Sequence, residues 1–231
     1  MERSAEKRAM EKRILDIVDR LFYGRGIRAI GVDTIADEVG ISKRTLYNYY
    51  PSKDELITAY LARRLQPRGY SDEPPAQQIL GEFDRLERQF GATGFRGCAF
   101  VNAVAELKEP KHAANKIALA FKEQRRMWFR ELLSRLDVPD PDTLSLQLLL
   151  LVDGAIAGAL VRGEPKVARA AREAARVLLS AAGVPAAQAA KQRASKQASK
   201  QASASTLQVP SNPLNLGSVR ALIDKRASTR K

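Results

Sequence analysis

The sequence is poor in the residues that enzymes and metal sites depend on, with one cysteine, Cys98, and one histidine, His112. A single thiol excludes an internal disulfide framework and a multi-thiolate metal site, and is typical of a reducing cytoplasm. One imidazole leaves little for acid–base catalysis near neutral pH, and no phosphate-binding loop or nucleophile elbow is present. We expect a cytoplasmic protein that is not an enzyme and has no metal or cofactor. We also expect Cys98 to be buried and His112 to lie on the surface near a helix start.

Long hydrophobic runs are also missing. The N-terminus has no apolar segment of signal-peptide length. The most hydrophobic stretch, residues 148–161, contains Asp153, and it is shorter than the roughly 20 apolar residues of a membrane-spanning helix. This stretch predicts a buried helix, and we expect no membrane partner.

Basic residues are in excess, with 39 Lys and Arg against 26 Asp and Glu and a formal net charge of +13. Such an excess favours a polyanionic partner, either nucleic acid or an anionic membrane surface. More than half of the excess lies in residues 191–231, which hold nine basic residues and one acid. The near-repeat KQRASKQASKQASAS in this region has almost no large apolar side chain. We therefore expect residues 185–231 to form a basic, low-complexity, disordered tail.

Helical periodicity dominates the remainder and predicts an all-α fold. Apolar stripes and capping residues predict nine helices. Eight cover about residues 5–23, 32–39, 42–50, 76–90, 98–107, 110–136, 141–162 and 165–182, and the fourth helix in chain order opens at Ser52. Prolines and glycines between residues 66 and 75 indicate a domain boundary.

The most informative window begins at Gly31 and ends at Leu56. Two short helices joined by a three-residue turn containing Gly40 are typical of a helix-turn-helix, whose second helix enters the DNA major groove. Gly40 is expected in the left-handed conformation, with Ile41 entering the core.

The second helix of this window is amphipathic. At about 100° per residue, Leu46 and Tyr50 share the buried face, whereas Arg44 and Asn48 lie opposite. Arg44 can donate two hydrogen bonds to guanine and Asn48 can pair with adenine, each adding ~1 to 3 kcal/mol of discrimination. The flanking hydroxyl and amine groups suit phosphate contacts. The predicted DNA-contacting residues are Lys43, Arg44, Thr45, Tyr47, Asn48, Tyr49 and Lys53.

The same window resembles the DNA-binding region of TetR-family transcriptional regulators. The residues that carry the resemblance are Ile35-Ala36, Val39-Gly40-Ile41-Ser42, Thr45-Leu46-Tyr47, Tyr49-Tyr50, Ser52-Lys53 and Leu56. Three positions depart from the family pattern: Tyr50 replaces the usual Phe, Tyr49 a common His, and Gly31 a Ser or Thr that often caps the first helix. We expect one phosphate contact to be missing at Gly31.

The resemblance implies a TetR-like organisation of the whole chain. Residues 1–66 would be a three-helix helix-turn-helix domain, here called the reader, and residues 67–184 a ligand-sensing and dimerisation domain of about six helices, here called the body. Homodimerisation would use the helices near 141–162 and 165–182. It would set two recognition helices roughly 34 to 36 Å apart on a near-palindromic DNA operator. An unknown small-molecule inducer would release a repressor from that operator.

The inducer would bind among the middle helices of the body. An aromatic wall with a few polar groups is typical of such a cavity. The candidates are Phe100, Asn102, Glu106, Phe121, Arg125 and Trp128, although aromatic residues at helical spacing are also ordinary core.

Two other functions stay open on sequence alone. The chain could be a helical protein-interaction module whose reader is vestigial. It could also be a nonspecific DNA binder that uses its basic tail, since such binding depends on charge rather than on sequence.

Overall fold

The computed structural model describes residues 2–185, and helices are the only regular secondary structure in that range. The all-α prediction is confirmed. The predicted tail lies outside the described residues, apart from Pro185. The helices are α1 (Glu2–Arg25), α2 (Val32–Val39), α3 (Lys43–Tyr49), α4 (Lys53–Arg64), α5 (Pro75–Phe90), α6 (Ala99–Leu107), α7 (Ala113–Ser134), α8 (Pro141–Arg162) and α9 (Val167–Ala181).

The helix bounds lie within about three residues of those predicted from sequence, and the start of α7 is among the largest differences. The prediction began this helix near Pro110, whereas the chain makes a turn there and the helix begins at Ala113. His112 caps α7, because its Nδ1 accepts a hydrogen bond from the amide of Ala114 at 3.0 Å. His112 is buried, so its predicted surface position was wrong. Cys98, expected to be buried, is only partly buried.

The core of the N-terminal helices lies on one face of α1. This helix contacts both α2 and α4, and it buries side chains at the i, i+4, i+7 and i+8 spacing of one helical face. Those side chains are Ile14, Val18, Leu21 and Phe22. Phe22 meets Tyr60 of α4 edge to face, with ring centroids 5.6 Å apart.

The core of the body is formed by α5, α7, α8 and α9. The predicted stripe on α5 is buried, with Phe83 fully enclosed. On α8, Leu148 and Val152 lie on the face that packs against α5, α7 and α9. Its opposite face stays uncovered in the single chain: Leu150 is 61% exposed and Val161 86% exposed.

Helix α8 is also the one helix among residues 2–185 that is long and apolar enough to cross a membrane, with a mean hydropathy of 2.0 over 18 residues. In that window 39% of the residues are buried inside the protein. Core helices of soluble proteins meet the same criterion, so length and composition alone do not assign α8 to a membrane.

A buried carboxylate ties α5 to the neighbouring segments. Glu82 lies on the inner face of α5, and its side chain is 1% exposed. Arg68 donates two hydrogen bonds to it, both 2.6 Å long, and Arg85 donates two of 2.9 Å. The third guanidinium, Arg125 of α7, lies 3.7 Å from Glu82 Oε1. Burial alone would raise the pKa of Glu82, but the hydrogen bond from Arg85 and the three positive charges outweigh it, and the pKa is lowered.

Replacing this carboxylate should therefore destabilise the fold strongly. We expect Glu82→Gln to lower the free energy of unfolding by about 3 kcal/mol near neutral pH, because three arginines lose their buried counter-charge. The folded-state pKa lies below the ordinary value of 4.5, so the carboxylate stabilises the protein above that pH and loses its contribution as the pH falls below it. Urea unfolding at several pH values measures both effects.

The matched control is Glu131→Gln on α7, which removes an exposed ion pair with Arg135. It should cost less than about 1 kcal/mol. Equal losses in the two variants, or a Glu82→Gln effect that persists unchanged at acid pH, would contradict the assignment.

Candidate functional site

The turn between α2 and α3 has the conformation predicted from its glycine. Gly40 adopts φ 74° and ψ 40°, the left-handed region. Its amide donates to the carbonyl of Asp37, and the next amide, of Ile41, donates to Ala36, both at 3.0 Å. These bonds satisfy carbonyls at the end of α2 and redirect the chain into α3. Ile41 is only half-buried, less enclosed than predicted.

A serine caps the helix that follows. Ser42 Oγ accepts a hydrogen bond from the amide of Thr45 at 3.0 Å, so α3 begins one residue later than predicted, at Lys43. The two hydroxyls of Ser42 and Thr45 lie 2.8 Å apart. Thr45 is half-buried at this corner, with its hydroxyl engaged by the cap.

The inner face of α3 is held by Leu46, which is 1% exposed. Tyr50, predicted to share that face, follows the helix and is half-buried. Burial raises the pKa of Tyr50 to about 12. The tyrosine therefore covers the edge of the core and is not fully inside it.

The outer face of α3 carries the two residues predicted to contact bases. Arg44 and Asn48 are exposed, and Tyr47 beside them is 38% exposed. Lys43 is exposed as well, and its Nζ lies 2.9 Å from a carboxylate oxygen of Asp33 on α2. This bond raises the pKa of Lys43. The arrangement offers a guanidinium, an amide and a phenol to solvent on one side of one helix.

The remaining predicted DNA contacts are less open. Tyr49 and Lys53 are half-buried. Burial lowers the pKa of Lys53, against the opposing charges of Glu106 and Asp54. Lys53 starts α4, which Ser52 caps by accepting the amide of Glu55 at 3.1 Å. At Gly31 no side chain caps α2, as the departure from the family pattern led us to expect.

Two of the six predicted ligand-contacting residues lie against the reader. Glu106 Oε2 accepts the amide of Arg28 at 3.0 Å, and its carboxylate lies about 3.1 Å from the Cβ that Gly26 lacks. Asn102 donates to the carbonyl of Arg96 at 2.7 Å. Both lie where α1, α4 and α6 meet, and the side chains there leave almost no enclosed space between them. Ligand cavities are usually larger, roughly 300 to 1,000 Å³.

Three of the other four residues come together where α6 meets α7, and Trp128 lies further along α7. Phe100 and Phe121 stack with ring centroids 4.0 Å apart. The guanidinium carbon of Arg125 lies 5.0 Å from the centre of the Phe121 ring. Trp128 is buried and donates its indole N–H to the carbonyl of Gly69 at 3.2 Å. Arg68 covers its ring, with the guanidinium carbon 4.9 Å from the centroid.

Glu82 and Arg68, which lie beside these residues, were not predicted from the sequence. Glu82 has a detectable signal, because it stands three residues after Ile79 and four before Leu86 on the apolar stripe of α5. Arg68 has no such signal, since it lies in an irregular segment. No group of three or more metal-ligating side chains occurs among the described residues.

Known proteins share this arrangement. Residues 14–60 match the family described as "Bacterial regulatory proteins, tetR family". A protein from Streptomyces avermitilis, described as a TetR transcriptional regulator, is 33% identical with a TM-score of 0.69, and the match covers 76% of this chain and 99% of that one. A TetR-family transcriptional regulator from Streptomyces coelicolor is 30% identical with a TM-score of 0.68, over 75% and 95% of the two chains. The chain belongs to the TetR family.

Helix-turn-helix transcriptional regulators of mycobacteria also match this chain. An uncharacterized HTH-type transcriptional regulator from Mycobacterium tuberculosis is 44% identical over 74 residues. That match covers 32% of this chain and 37% of the relative, so the two share about a third of the relative's length. The chain is thus a helix-turn-helix transcriptional regulator of the TetR family.

The left-handed conformation of Gly40 can be tested by substitution. An alanine there would be held at φ 74°, at a cost of roughly 1 to 2 kcal/mol, and only the tip of Arg13 lies within 4 Å of the added carbon. We expect Gly40→Ala to lower the free energy of unfolding by about 1 kcal/mol and Gly40→Asn to lower it less, because asparagine tolerates this conformation. Urea unfolding measures the difference.

Gly81 provides the control. It lies within α5, where a Cβ meets nothing within 4 Å, so Gly81→Ala should stabilise the protein by roughly 0.5 to 1 kcal/mol. Losses of the same size at both positions would mean that the left-handed turn is not what requires glycine at position 40.

Proposed function

We propose that this TetR-family regulator is a cytoplasmic, sequence-specific DNA-binding repressor that acts as a homodimer and leaves its operator when a small molecule binds in the body. The observation that carries the proposal is the outward face of α3. Arg44 and Asn48 are exposed on the side opposite the buried Leu46, where a recognition helix presents base-reading side chains.

The chemistry of this face suits sequence reading. Arginine pairs with the O6 and N7 atoms of guanine, and asparagine pairs with the N6 and N7 atoms of adenine. Tyr47 and Lys43 flank them and suit phosphate oxygens, which position the protein without reading sequence. Since Lys43 is held by Asp33, phosphate must replace that carboxylate when DNA binds. Thr45, Tyr49 and Lys53 are less exposed and complete the proposed phosphate contacts.

The uncovered side of α8 supports the homodimer. Its exposed residues recur every three or four positions and form one apolar stripe: Leu146, Leu150, Gly154, Ala157 and Val161. On α9, which packs against α8, Val177 is 52% exposed. Contiguous exposed apolar surface marks interaction sites, and the small residues allow a second helix to approach closely. Helices 141–162 and 165–182 of two chains would form a symmetric interface.

The contacts between reader and body support a response to an inducer. Helix α6 carries Phe100 on the body side and Glu106 on the reader side, where Glu106 holds the amide of Arg28. A ligand that moves α6 would move this contact and with it the reader. The coupling must be reciprocal, so DNA should weaken inducer binding by the same factor.

The base-reading residues can be tested on DNA selected by the full-length protein from a random duplex pool near physiological salt. We expect Arg44→Ala and Asn48→Ala each to weaken binding to the selected sequence by about tenfold or more, because each removes a bidentate base contact. Fluorescence anisotropy with a labelled duplex gives the affinities, and circular dichroism should stay unchanged because both residues are exposed.

Arg88→Ala is the control for lost charge, because Arg88 is exposed on α5, outside the reader. At the same salt concentration, the affinity of this variant for the selected DNA should stay within about twofold of the wild-type value, since Arg88 makes no base contact in this proposal. Unchanged affinity in both α3 variants would overturn the DNA-reading proposal and favour a vestigial reader.

The homodimer can be tested by placing a charge on the α8 stripe. We expect Leu150→Glu to convert the protein to a monomer, because a carboxylate in the centre of an apolar interface is not compensated there. Sedimentation velocity measures the change. The same substitution at Leu119 of α7, which is 70% exposed, should leave the oligomeric state unaltered. A wild-type protein that sediments as a monomer at all accessible concentrations would contradict the interface.

A further inference from the structure

The arginine cluster of the body holds more positive than negative groups. Three guanidinium groups, of Arg68, Arg85 and Arg125, surround the single carboxylate of Glu82. Arg68 and Arg85 already occupy both carboxylate oxygens with four hydrogen bonds of 2.6 to 2.9 Å. Arg125 reaches the same carboxylate only at 3.7 Å. One carboxylate thus faces three guanidinium groups, and the cluster keeps an excess of positive charge.

Arg125 also has hydrogen-bond donors with nothing to bind. Its side chain is 7% exposed, and its Nε and Nη1 atoms are buried without a partner among the described residues. Burial lowers the pKa of Arg125 to about 10, and the charges of Arg68 and Arg85 act in the same direction. An unsatisfied buried charge is costly, so such groups usually have a partner in the functional state.

The surroundings of Arg125 indicate what kind of partner fits. Phe121 lies 5.0 Å below the guanidinium and stacks on Phe100. Trp128 lies one turn further along α7, on the same side of the helix. An apolar wall beside a positively charged fork suits a carboxylate joined to an aromatic or aliphatic group better than it suits a strongly hydrated inorganic anion.

We propose that Arg125 binds the carboxylate of an apolar organic acid between α6 and α7, and that this class of molecule is the inducer. The inference rests on the proposed ligand-responsive function. The acid would satisfy Nε and Nη1 and separate the Phe100 and Phe121 rings, which are in contact without it. Phe121 is half-buried and forms the outer wall of the site. Movement of Phe100 displaces α6, whose Glu106 contacts the reader.

The single tryptophan of the sequence, Trp128, provides the readout. Full-length protein is titrated with benzoate, naphthoate and octanoate, each compared with its neutral amide at constant ionic strength. We expect a saturable change in tryptophan fluorescence with at least one acid, and binding of its amide weaker by about tenfold or more, because the amide lacks the charge that Arg125 recognises. Sodium chloride and phosphate at the same concentrations should give no saturable change.

Arg125→Met separates ligand binding from a structural role. If Arg125 serves the ligand, this variant should lose the acid-dependent fluorescence change while its melting temperature without ligand stays equal or rises, because Glu82 keeps Arg68 and Arg85. Arg125→Lys should bind the acid more weakly than wild type, since lysine lacks the bidentate fork. Arg130→Met, the same change at a residue of α7 that bonds Asp142, should bind the acid as wild type does.

Three results would overturn the proposal: no saturable change with any of the acids, equal binding of acid and amide, or a marked fall in the melting temperature of Arg125→Met. DNA binding without added acid is measured on the same variants. Retained specific DNA binding together with any of these results would remove the organic-acid site and leave the DNA-binding proposal in place. Loss of specific DNA binding by the wild type would remove the latter instead.

Discussion

The reader depends on the burial of one leucine. Helix α3 has seven residues, too few to be stable alone, because nucleating a helix costs more than one or two turns return. Burial of Leu46, on a helix that packs against α2, supplies the missing free energy. Gly40 and Ser42 act with it, the one by allowing the left-handed turn and the other by capping the helix. The outward direction of Arg44 and Asn48 follows from this anchoring.

The charged groups of the protein divide into two kinds with different physical roles. On the reader surface, Lys43 and its partner Asp33 are solvated, so breaking this ion pair costs little. In the body, Glu82 and its arginines are enclosed, where an ion pair must be complete to be tolerated. That cluster is complete for Glu82 and incomplete for Arg125. A charged side chain is thus readily accommodated on the surface, whereas in the core it requires a complete set of partners.

Helix α6 connects the two parts of the molecule. At its start Asn102 and the neighbouring chain face α1, where Tyr23 donates to the carbonyl of Gly97 at 3.1 Å and accepts the amide of Arg96 at 2.9 Å. At its end Glu106 holds the loop that leads into α2. Helix α7 makes a second connection, because Nε2 of its capping residue His112 lies 3.6 Å from Oδ1 of Asp54 on α4. A change in the body therefore has two contact routes to the reader, and both are short.

Local interactions are what the sequence by itself determined: the helices, the Gly40 turn, the caps at Ser42 and Ser52 and the two faces of α3. These involve residues within four positions of each other, so the spacing of side chains specifies them. Only the tertiary structure decided where His112, Glu106 and Glu82 lie, since their partners stand far away along the chain. Burial of a polar side chain depends on which distant segments cover it, and helical periodicity does not identify those segments.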